Sequence, residues 1–271
     1  MRVLVVGTGA SNADLVADVL SSNGIPAKPV LEVKFPDPFL IHRFDVVYGI
    51  YLQTCSRYII AAKALGKKTI VHFVGSDAYR VERERSFAKQ LYWRTVLSCT
   101  DAILYVSPHL QPMIGREGFI LPLPIAMSEF ARPELLEILP ERDALYYCPG
   151  GAVNERIYRL DWIIDYARGH PSITVTVLGS IAHPANYKIA LPNVEVIPYM
   201  KADKMPQLYR RHRKLIRVTT EDGLPRMIHE ALLCGLEVEF NGKVIKEIPP
   251  ELDPKEFAKS FGKVLSAISA A

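Results

Sequence analysis

Two carboxylates on one helix-like segment are the side chains best placed for chemistry. Asp222 and Glu230 stand eight residues apart, on a segment that runs through Pro225 to Gly235. Pro225 suits a first helical turn and Gly235 suits a helix end, so the pattern predicts an acidic loop, a helix and a tight stop. A helix N-terminus attracts anions, and a carboxylate on the helix accepts hydrogen bonds from paired sugar hydroxyls. The alternative is that Asp222 caps the helix and Glu230 is solvated.

A second loop carries positive charge. Arg156 and Arg159 lie within the stretch Pro149–Asp161, which also contains Gly151 and follows a predicted strand. A guanidinium binds phosphate with two parallel hydrogen bonds, so this loop is a candidate phosphate site. Solvated loop arginines are the alternative.

Two further loops with candidate residues lie in the first half of the chain. Gly7 and Gly9 form a glycine-rich turn after the first strand, where the backbone can approach a ligand closely or simply turn. His72, Ser76 and Asp77 surround a later strand-to-helix loop. The alternatives are a core histidine and a helix-capping aspartate.

Short β-branched runs alternate with longer amphipathic stretches, which predicts βα units around parallel sheets. In the first half the pattern predicts strands at Val3–Gly7, Asp45–Tyr51, Lys68–Val74, Asp101–Ser107 and Gly118–Pro122. The helices predicted between them are Ala13–Ser22, Cys55–Leu65, Glu84–Ser98 and His109–Ile114. Ligands of such sheets bind outside the carboxyl ends of the strands, where all the loops above lie.

A proline-rich, charged stretch then interrupts the alternation, and a second series follows. Its predicted strands are Ala144–Cys148, Ile173–Leu178, Val194–Ile197, Leu215–Thr219 and Leu236–Phe240. Its predicted helices are Leu160–Arg168, Lys204–Arg213, Pro225–Leu233 and Pro254–Ala267. The fold class is therefore α/β, with two tandem Rossmann-like domains facing a central cleft.

Composition narrows the class of protein. The chain has 271 residues, 49% of them hydrophobic and 23% charged, with a net charge of +4. These values indicate a globular chain and are far from the basic footprint of a nucleic-acid binder. The four cysteines have no metal-like spacing, no apolar run is long enough for a membrane span, and the N-terminal apolar run is too short for a signal-peptide core. Asn and Gln together number only ten, a tendency of thermophile proteins.

The stretch Thr219–Gly235 resembles the Glu-x7-Glu signature of retaining glycosyltransferases of the GT-B fold (family 4-like). Asp222 and Glu230 match its two acidic positions, and Thr219 matches its serine. Five further segments match family motifs in the family's order: His72–Asp77, Tyr105–Leu110, Leu121–Ile125, Leu191–Val196 and Met205–Tyr209. The sequence is thus similar to this family over most of its length.

This resemblance implies transfer of a sugar from a nucleotide-diphosphate donor to a glycan or lipid-linked acceptor, with retention and without a metal or other cofactor. It implies that Glu230 binds the donor ribose and Asp222 the sugar hydroxyls, with the amides of Gly223 and Leu224 near the sugar or phosphates. It also implies that the His72–Asp77 loop lines the acceptor side, where His72 or Asp77 orients or deprotonates the attacking hydroxyl. We expect the acceptor in residues 1–128, a linker at 129–142, and the nucleotide sugar in residues 143–250. A final helix within 251–271 is expected to pack back on the first domain.

The basic run Arg210–Lys214, with Arg217 close behind it, has two interpretations. Such runs are usually solvated helix faces, but they also attract anionic lipid headgroups. The second interpretation suits a lipid-linked acceptor and a cytoplasmic protein with peripheral contact to the inner membrane face; no nucleic-acid partner is expected.

Two other functions stay open from the sequence. Ala152 and Val74 stand where the family has an arginine and a histidine, and Asp222 is one methylene shorter than glutamate. These departures favour a catalytically degenerate subunit that binds a glycan or a partner transferase. An NAD-dependent oxidoreductase depends on Gly7 and Gly9 alone, because Asn12 replaces the third glycine of that fingerprint.

Overall fold

The computed structural model divides the chain into two compact units. One comprises Met1–Ile125 together with Pro249–Ala271, and the other comprises Ala126–Ile248. The structure describes residues 1–7, 13–31, 35–131, 140–149, 152–179, 189, 191–198, 200–221 and 225–270.

The first unit is a six-stranded parallel sheet with helices on both faces, in the order β2-β1-β3-β4-β5-β6. Its strands are β1 (Val3–Val6), β2 (Ala27–Val30), β3 (Val46–Ile50), β4 (Lys68–Phe73), β5 (Ala102–Tyr105) and β6 (Phe119–Ile120). Its helices before residue 126 are α1 (Ala13–Ser22), α2 (Pro38–His42), α3 (Leu52–Ala64), α4 (Ser76–Glu82), α5 (Phe87–Ser98) and α6 (Gln111–Ile114). The strands β1 and β3 are buried throughout, as expected when helices cover both sides of a parallel sheet.

The second unit has its own six-stranded sheet, in the order β12-β11-β10-β7-β8-β9. Its strands are β7 (Arg142–Tyr147), β8 (Val175–Leu178), β9 (Val194–Ile197), β10 (His212–Arg217), β11 (Glu237–Phe240) and β12 (Lys243–Ile245). Its helices are α7 (Met127–Phe130), α8 (Ala152–Ile157), α9 (Leu160–Gly169), α10 (Met205–Arg210) and α11 (Arg226–Leu233). The strands pair in parallel, except that β12 pairs antiparallel with β11. The predicted α/β fold with two Rossmann-like units is confirmed.

The final helix, α12 (Pro254–Ala270), belongs to the core of the first unit. Phe257 and Phe261 are fully buried, and the Phe261 ring lies 4.9 Å from the Tyr48 ring of β3. Asp253 accepts hydrogen bonds at the start of α12 from the amides of Lys255 and Glu256, so it is the N-cap of this helix. The chain thus returns to the sheet where it began.

Sequence patterns do not predict β2, α2, α4 or β12, and they place the start of β10 inside a helix. The strand β2 contains Lys28 and Pro29, which are poor strand residues, but it is an edge strand where proline is tolerated. The basic residues at 212–214 belong to β10 because the strand is completed by pairing with β7 and β11. Among the described residues, no helix is both long and apolar enough to cross a bilayer.

Candidate functional site

The second sheet changes direction between β7 and β10. From β7 the chain continues to β8, which pairs with β7 on one side, and β10, which comes later in the sequence, pairs with β7 on the other side. Such a point leaves a crevice at the carboxyl ends of the two strands, where α/β proteins bind ligands. Both loops selected from the sequence follow these two strands, which places them at one edge of the sheet.

Glu230 is held in a fixed position on α11. The residue is only 8% exposed, the Tyr209 hydroxyl donates to its Oε2 at 3.1 Å, and Arg226 Nη2 donates to its Oε1 at 3.1 Å. Burial raises the pKa of this carboxyl above its ordinary value, and Arg226 and Tyr209 oppose part of that rise. Since a carboxylate has about four lone-pair sites, each oxygen retains capacity for a ligand hydroxyl.

Thr219 shapes the loop that follows β10. It is buried, its amide donates to Asn241 Oδ1 at 2.9 Å, and its hydroxyl accepts from the Glu221 amide at 3.3 Å. The second bond is a Ser/Thr turn, which sets the direction of the chain toward residues 222–224. The predicted site residues Asp222, Gly223 and Leu224 lie outside the described residues, as do Gly151 and Gly9.

The two loop arginines differ in what they contact. Arg159 has a left-handed backbone (φ 46°) and pairs with the Asp161 carboxylate at 3.0 Å. Arg156 is exposed and, within the described part of the chain, has no ion-pair partner. Both line an open hollow of about 530 Å³ with Glu155, Leu160, Asp161 and Ile164. Arg156 is therefore the better candidate for an incoming phosphate.

Arg217 is a cation that the sequence reasoning passes over as part of a basic run. It ends β10, is only 3% exposed, and its Cζ lies 4.8 Å from the Tyr147 ring centroid and 4.4 Å from that of Tyr158. Its charge lowers the pKa of Tyr209, the partner of Glu230, against the larger rise that burial causes. The signal available in the sequence is an arginine inside an otherwise apolar strand end, Leu215 to Val218.

In the first unit, His72 lies in the core of the sheet. It is fully buried, and its Nδ1 is 2.6 Å from the Tyr48 hydroxyl. Burial lowers its pKa to about 3, so the ring is neutral at physiological pH. A fully buried imidazole has no surface for an acceptor, and this geometry favours a core histidine over the expected contact with the attacking hydroxyl.

Asp77 joins two loops at the carboxyl edge of the first sheet. Its Oδ1 accepts from the amides of Val74 at 3.0 Å and Gly75 at 3.1 Å, and its Oδ2 accepts from the Leu52 amide at 3.2 Å. The residue is fully buried, and burial raises its pKa to about 6. Tyr51, next to Leu52, has a left-handed φ of 66°, a strained conformation for a residue with a side chain. This geometry favours a positioning role for Asp77 over direct contact with the attacking hydroxyl.

The glycines and Ser76 lie at the same edge. Gly7 follows β1 and is buried; a Cβ there would lie 2.9 Å from the Ala13 Cβ, so glycine is needed for α1 to pack closely. Gly75 has a φ of 129°, which a side chain would strain, and Ser76 begins α4 with its side chain exposed. Of the two predicted acceptor-side residues that the structure describes, Gly7 is buried and Ser76 is exposed.

A polar cluster after β5 received no predicted role. Ser107 Oγ and His109 Nδ1 are within hydrogen-bond distance at 2.8 Å, and the His109 ring lies 6.4 Å from that of Tyr79. The Arg83 Cζ lies 5.2 Å from the Tyr79 ring centroid. Partial burial lowers the pKa of His109. Hydroxyl, imidazole, ring and cation together can bind a polar ligand.

The basic run Arg210–Lys214 is engaged within the second unit. Arg210 donates to the Ala131 carbonyl at 2.9 Å, and His212 is buried. The other three bases form ion pairs: Arg211 with Glu141 at 2.8 Å, Arg213 with Asp143 at 3.8 Å, and Lys214 with Glu239 at 2.7 Å. These partners offset most of the charge of the run, so the geometry does not favour the expected lipid contact here. In the part of the chain that the structure describes, no group of three or more His, Cys, Asp and Glu side chains is arranged for a metal ion.

No protein-family model and no curated protein matches this chain. Solved structures do match it. The glycosyltransferase AviGT4, involved in avilamycin A biosynthesis, aligns with a TM-score of 0.66 at 11% identity over 100% of this chain and 99% of that one. Anabaena Alr3699/HepE in complex with UDP-glucose aligns with a TM-score of 0.63 at 14% identity, over 99% and 91%. This chain has the GT-B fold.

The GT-B fold is not restricted to transferases among these matches. The UDP-GlcNAc 2-epimerase of Methanocaldococcus jannaschii aligns with a TM-score of 0.60 at 9% identity, over 98% of this chain and 100% of that one. At such identities the likeness shows the fold alone. The function must therefore be argued from the side chains at the carboxyl edges of the two sheets.

Proposed function

We propose that this protein is a glycosyltransferase that binds a nucleotide-diphosphate sugar in its second unit. The observation that supports this most is the buried Glu230 carboxylate beside the change of direction between β7 and β10. Tyr209 and Arg226 hold Glu230 rigid, which suits it to accept hydrogen bonds from the two ribose hydroxyls. The UDP-sugar complex of HepE, which has the same fold, is consistent with such a donor.

The remaining donor contacts follow from the charge of the leaving group. A departing diphosphate gathers negative charge, which fixed cations and backbone amides stabilise without a covalent nucleophile. We assign Arg156 to the phosphates, with Arg217 as a further cation behind them, and the 222–224 loop to the sugar. Transfer then proceeds with retention at the anomeric carbon and without a metal ion.

The acceptor, a glycan or a lipid-linked glycan, is assigned to the first unit. Ser76 and the Ser107–His109 pair lie after neighbouring strands β4 and β5, at the edge where ligands of parallel sheets bind. Asp77 and Tyr51 lie at this edge as well and fix the loops. In this assignment His72 and Asp77 are positioning residues.

A thermal-shift screen with UDP-, GDP- and ADP-sugars tests donor binding. We expect one series to raise the melting temperature of the wild type and of Glu251→Gln, an exposed matched control, but not of Glu230→Gln. If none of the nucleotide sugars raises the melting temperature of the wild type, the proposal is refuted. Mass spectrometry of a turnover mixture then detects transfer, because the acceptor gains the mass of the sugar and the nucleoside diphosphate is released. Proton NMR of the recovered donor would reveal an epimer, which has the same mass and would indicate epimerase activity.

A second candidate is a donor-binding or glycan-binding subunit without turnover. The ion pair between Arg226 and Glu230 favours it, because one carboxylate oxygen already has a charged partner inside the protein. Ala152, where the resembled family has an arginine, favours it as well. Stable binding of a nucleotide sugar, with no nucleotide release after addition of lipid extracts and glycans, would support this candidate over the transferase.

A further inference from the structure

Four large apolar side chains of the first unit are strongly exposed: Phe35 is 80% exposed, Phe39 86%, Phe87 78% and Leu91 55%. Single exposed hydrophobic residues are ordinary on protein surfaces, but a group of large ones marks an interaction site. Three of the four are phenylalanines, so the exposed area is mainly aromatic. We call the surface formed by these side chains the aromatic face.

The aromatic face lies on one layer of helices. Because parallel crossovers are right-handed, the connections β2–β3, β3–β4 and β4–β5 place α2, α3 and α5 on the same side of the first sheet. The Tyr58 hydroxyl of α3 donates to the Phe35 carbonyl at 3.3 Å, and the Tyr92 hydroxyl of α5 donates to Ser56 Oγ of α3 at 2.9 Å. With helix axes about 8–10 Å apart, the face spans about 20 Å.

The segment that carries Phe87 and Leu91 is basic. Residues 80–94 carry a net charge of +3, from five bases and two acids. The five bases are exposed: Arg80, Arg83, Arg85, Lys89 and Arg94. Glu84 lies 3.5 Å from Lys89, and the exposed Arg57 of α3 has its Cζ 5.6 Å from the Phe35 ring centroid.

We propose that the aromatic face docks this protein on an anionic lipid bilayer. Phenylalanine and leucine side chains enter the boundary between headgroups and acyl chains, while arginines and lysines contact the lipid phosphates, the combination typical of interfacial helices. A second copy of this chain is disfavoured as the occupant, because the two positive clusters would face each other. The inference stands independently of the donor chemistry, and it suits a lipid-linked acceptor bound by the same unit.

Vesicle sedimentation with the full chain tests the proposal. We expect the protein to sediment with vesicles of equal parts phosphatidylcholine and phosphatidylglycerol, but not with phosphatidylcholine alone. Replacing Arg85 and Arg94 by Gln lowers the partition coefficient about five-fold per residue. Phe87→Ser and Leu91→Ser each lower it about tenfold. All four positions are exposed, so these variants keep the wild-type melting temperature.

Two control variants match these changes elsewhere in the chain. Val244→Ser removes an apolar side chain that is 53% exposed in the second unit, and Arg211→Gln with Arg213→Gln removes two charges from the basic run. The proposal expects both to bind vesicles like the wild type. Equal binding to both vesicle types, or full binding by the Phe87 and Leu91 variants, would overturn it. Concentration-dependent dimers of the wild type that Phe87→Ser and Leu91→Ser abolish would also overturn the proposal, because they would identify a second copy of the chain as the occupant. Nucleotide-sugar thermal shifts on the same variants report separately on the proposed function.

Discussion

Replacing Asp77 by asparagine tests whether this carboxylate joins two loops as a buried group. Asp77 accepts amide hydrogen bonds from both the Val74–Gly75 turn and Leu52, and burial raises its pKa from 3.8 to about 6. Its pKa is therefore higher in the folded chain than in the unfolded chain. The corresponding stability is fully present below about pH 3.8 and is lost as the pH rises through about 6.

The size of this effect follows from the pKa difference. The interval from 3.8 to about 6 corresponds to about 3 kcal/mol of unfolding free energy. The asparagine side chain of the variant does not titrate, so the free energy of unfolding of the wild type minus that of Asp77→Asn should fall by this amount between about pH 4 and about pH 7. A pH-independent loss of about 1–3 kcal/mol accompanies the substitution, because the amide group cannot accept all three backbone bonds.

Urea unfolding of both proteins across this pH range measures the difference. Asp18→Asn, at an exposed position of α1, is the matched control and should run parallel to the wild type. A difference between Asp77→Asn and the wild type that stays constant with pH would refute the reasoning, since it would show that Asp77 titrates as a solvated carboxyl.

Three further substitutions have defined outcomes. His72→Phe should make the free energy of unfolding less sensitive to acid below about pH 6.5. The His72 pKa is about 3 in the folded chain, so in the wild type acid protonates this histidine in the unfolded chain first and thereby lowers the stability of the fold; urea titrations at several pH values measure this. Gly7→Val should lower stability by about 1–3 kcal/mol in a urea titration, because its Cβ would overlap Ala13. Arg217→Gln should weaken binding of the nucleoside diphosphate of the donor that the thermal-shift screen selects about tenfold or more while leaving binding of the matching nucleoside unchanged, measured by calorimetry; equal losses for both ligands would assign Arg217 a purely structural role.

Much of the fold is predictable from local sequence. The runs around Val3–Val6 and Val46–Ile50 are apolar on both faces, which only a strand covered on both sides can bury, and helix-like stretches separate them. The edge strand β2 escapes prediction because Lys28 and Pro29 contradict strand propensity. It forms because the backbone N–H and C=O groups on the outer side of β1 pair with it, and these groups are in place only once the sheet is assembled.

The candidate site is only partly predictable. Glu230 is recognisable from its spacing to Asp222 and Pro225, but its rigidity depends on Tyr209, which approaches from α10. From the sequence, Arg217 is interpreted as a further member of a basic run. In the structure it is buried and lies against the rings of Tyr147 and Tyr158. Contacts between elements distant in sequence leave no periodic signal along the chain.

The alternation of strands and helices, the order of the motif-like loops and their location after strands can be predicted from the sequence, because these features depend on side-chain periodicity and on local turn residues. Which polar groups are buried and which charges remain exposed depends on the tertiary structure. It placed Asp77 and His72 in the interior, neutralised Arg211 by pairing it with Glu141, and left Phe87 on the surface. Burial and ion pairing are set by segments that meet only when the chain folds, so the same residue types have roles that their spacing does not specify.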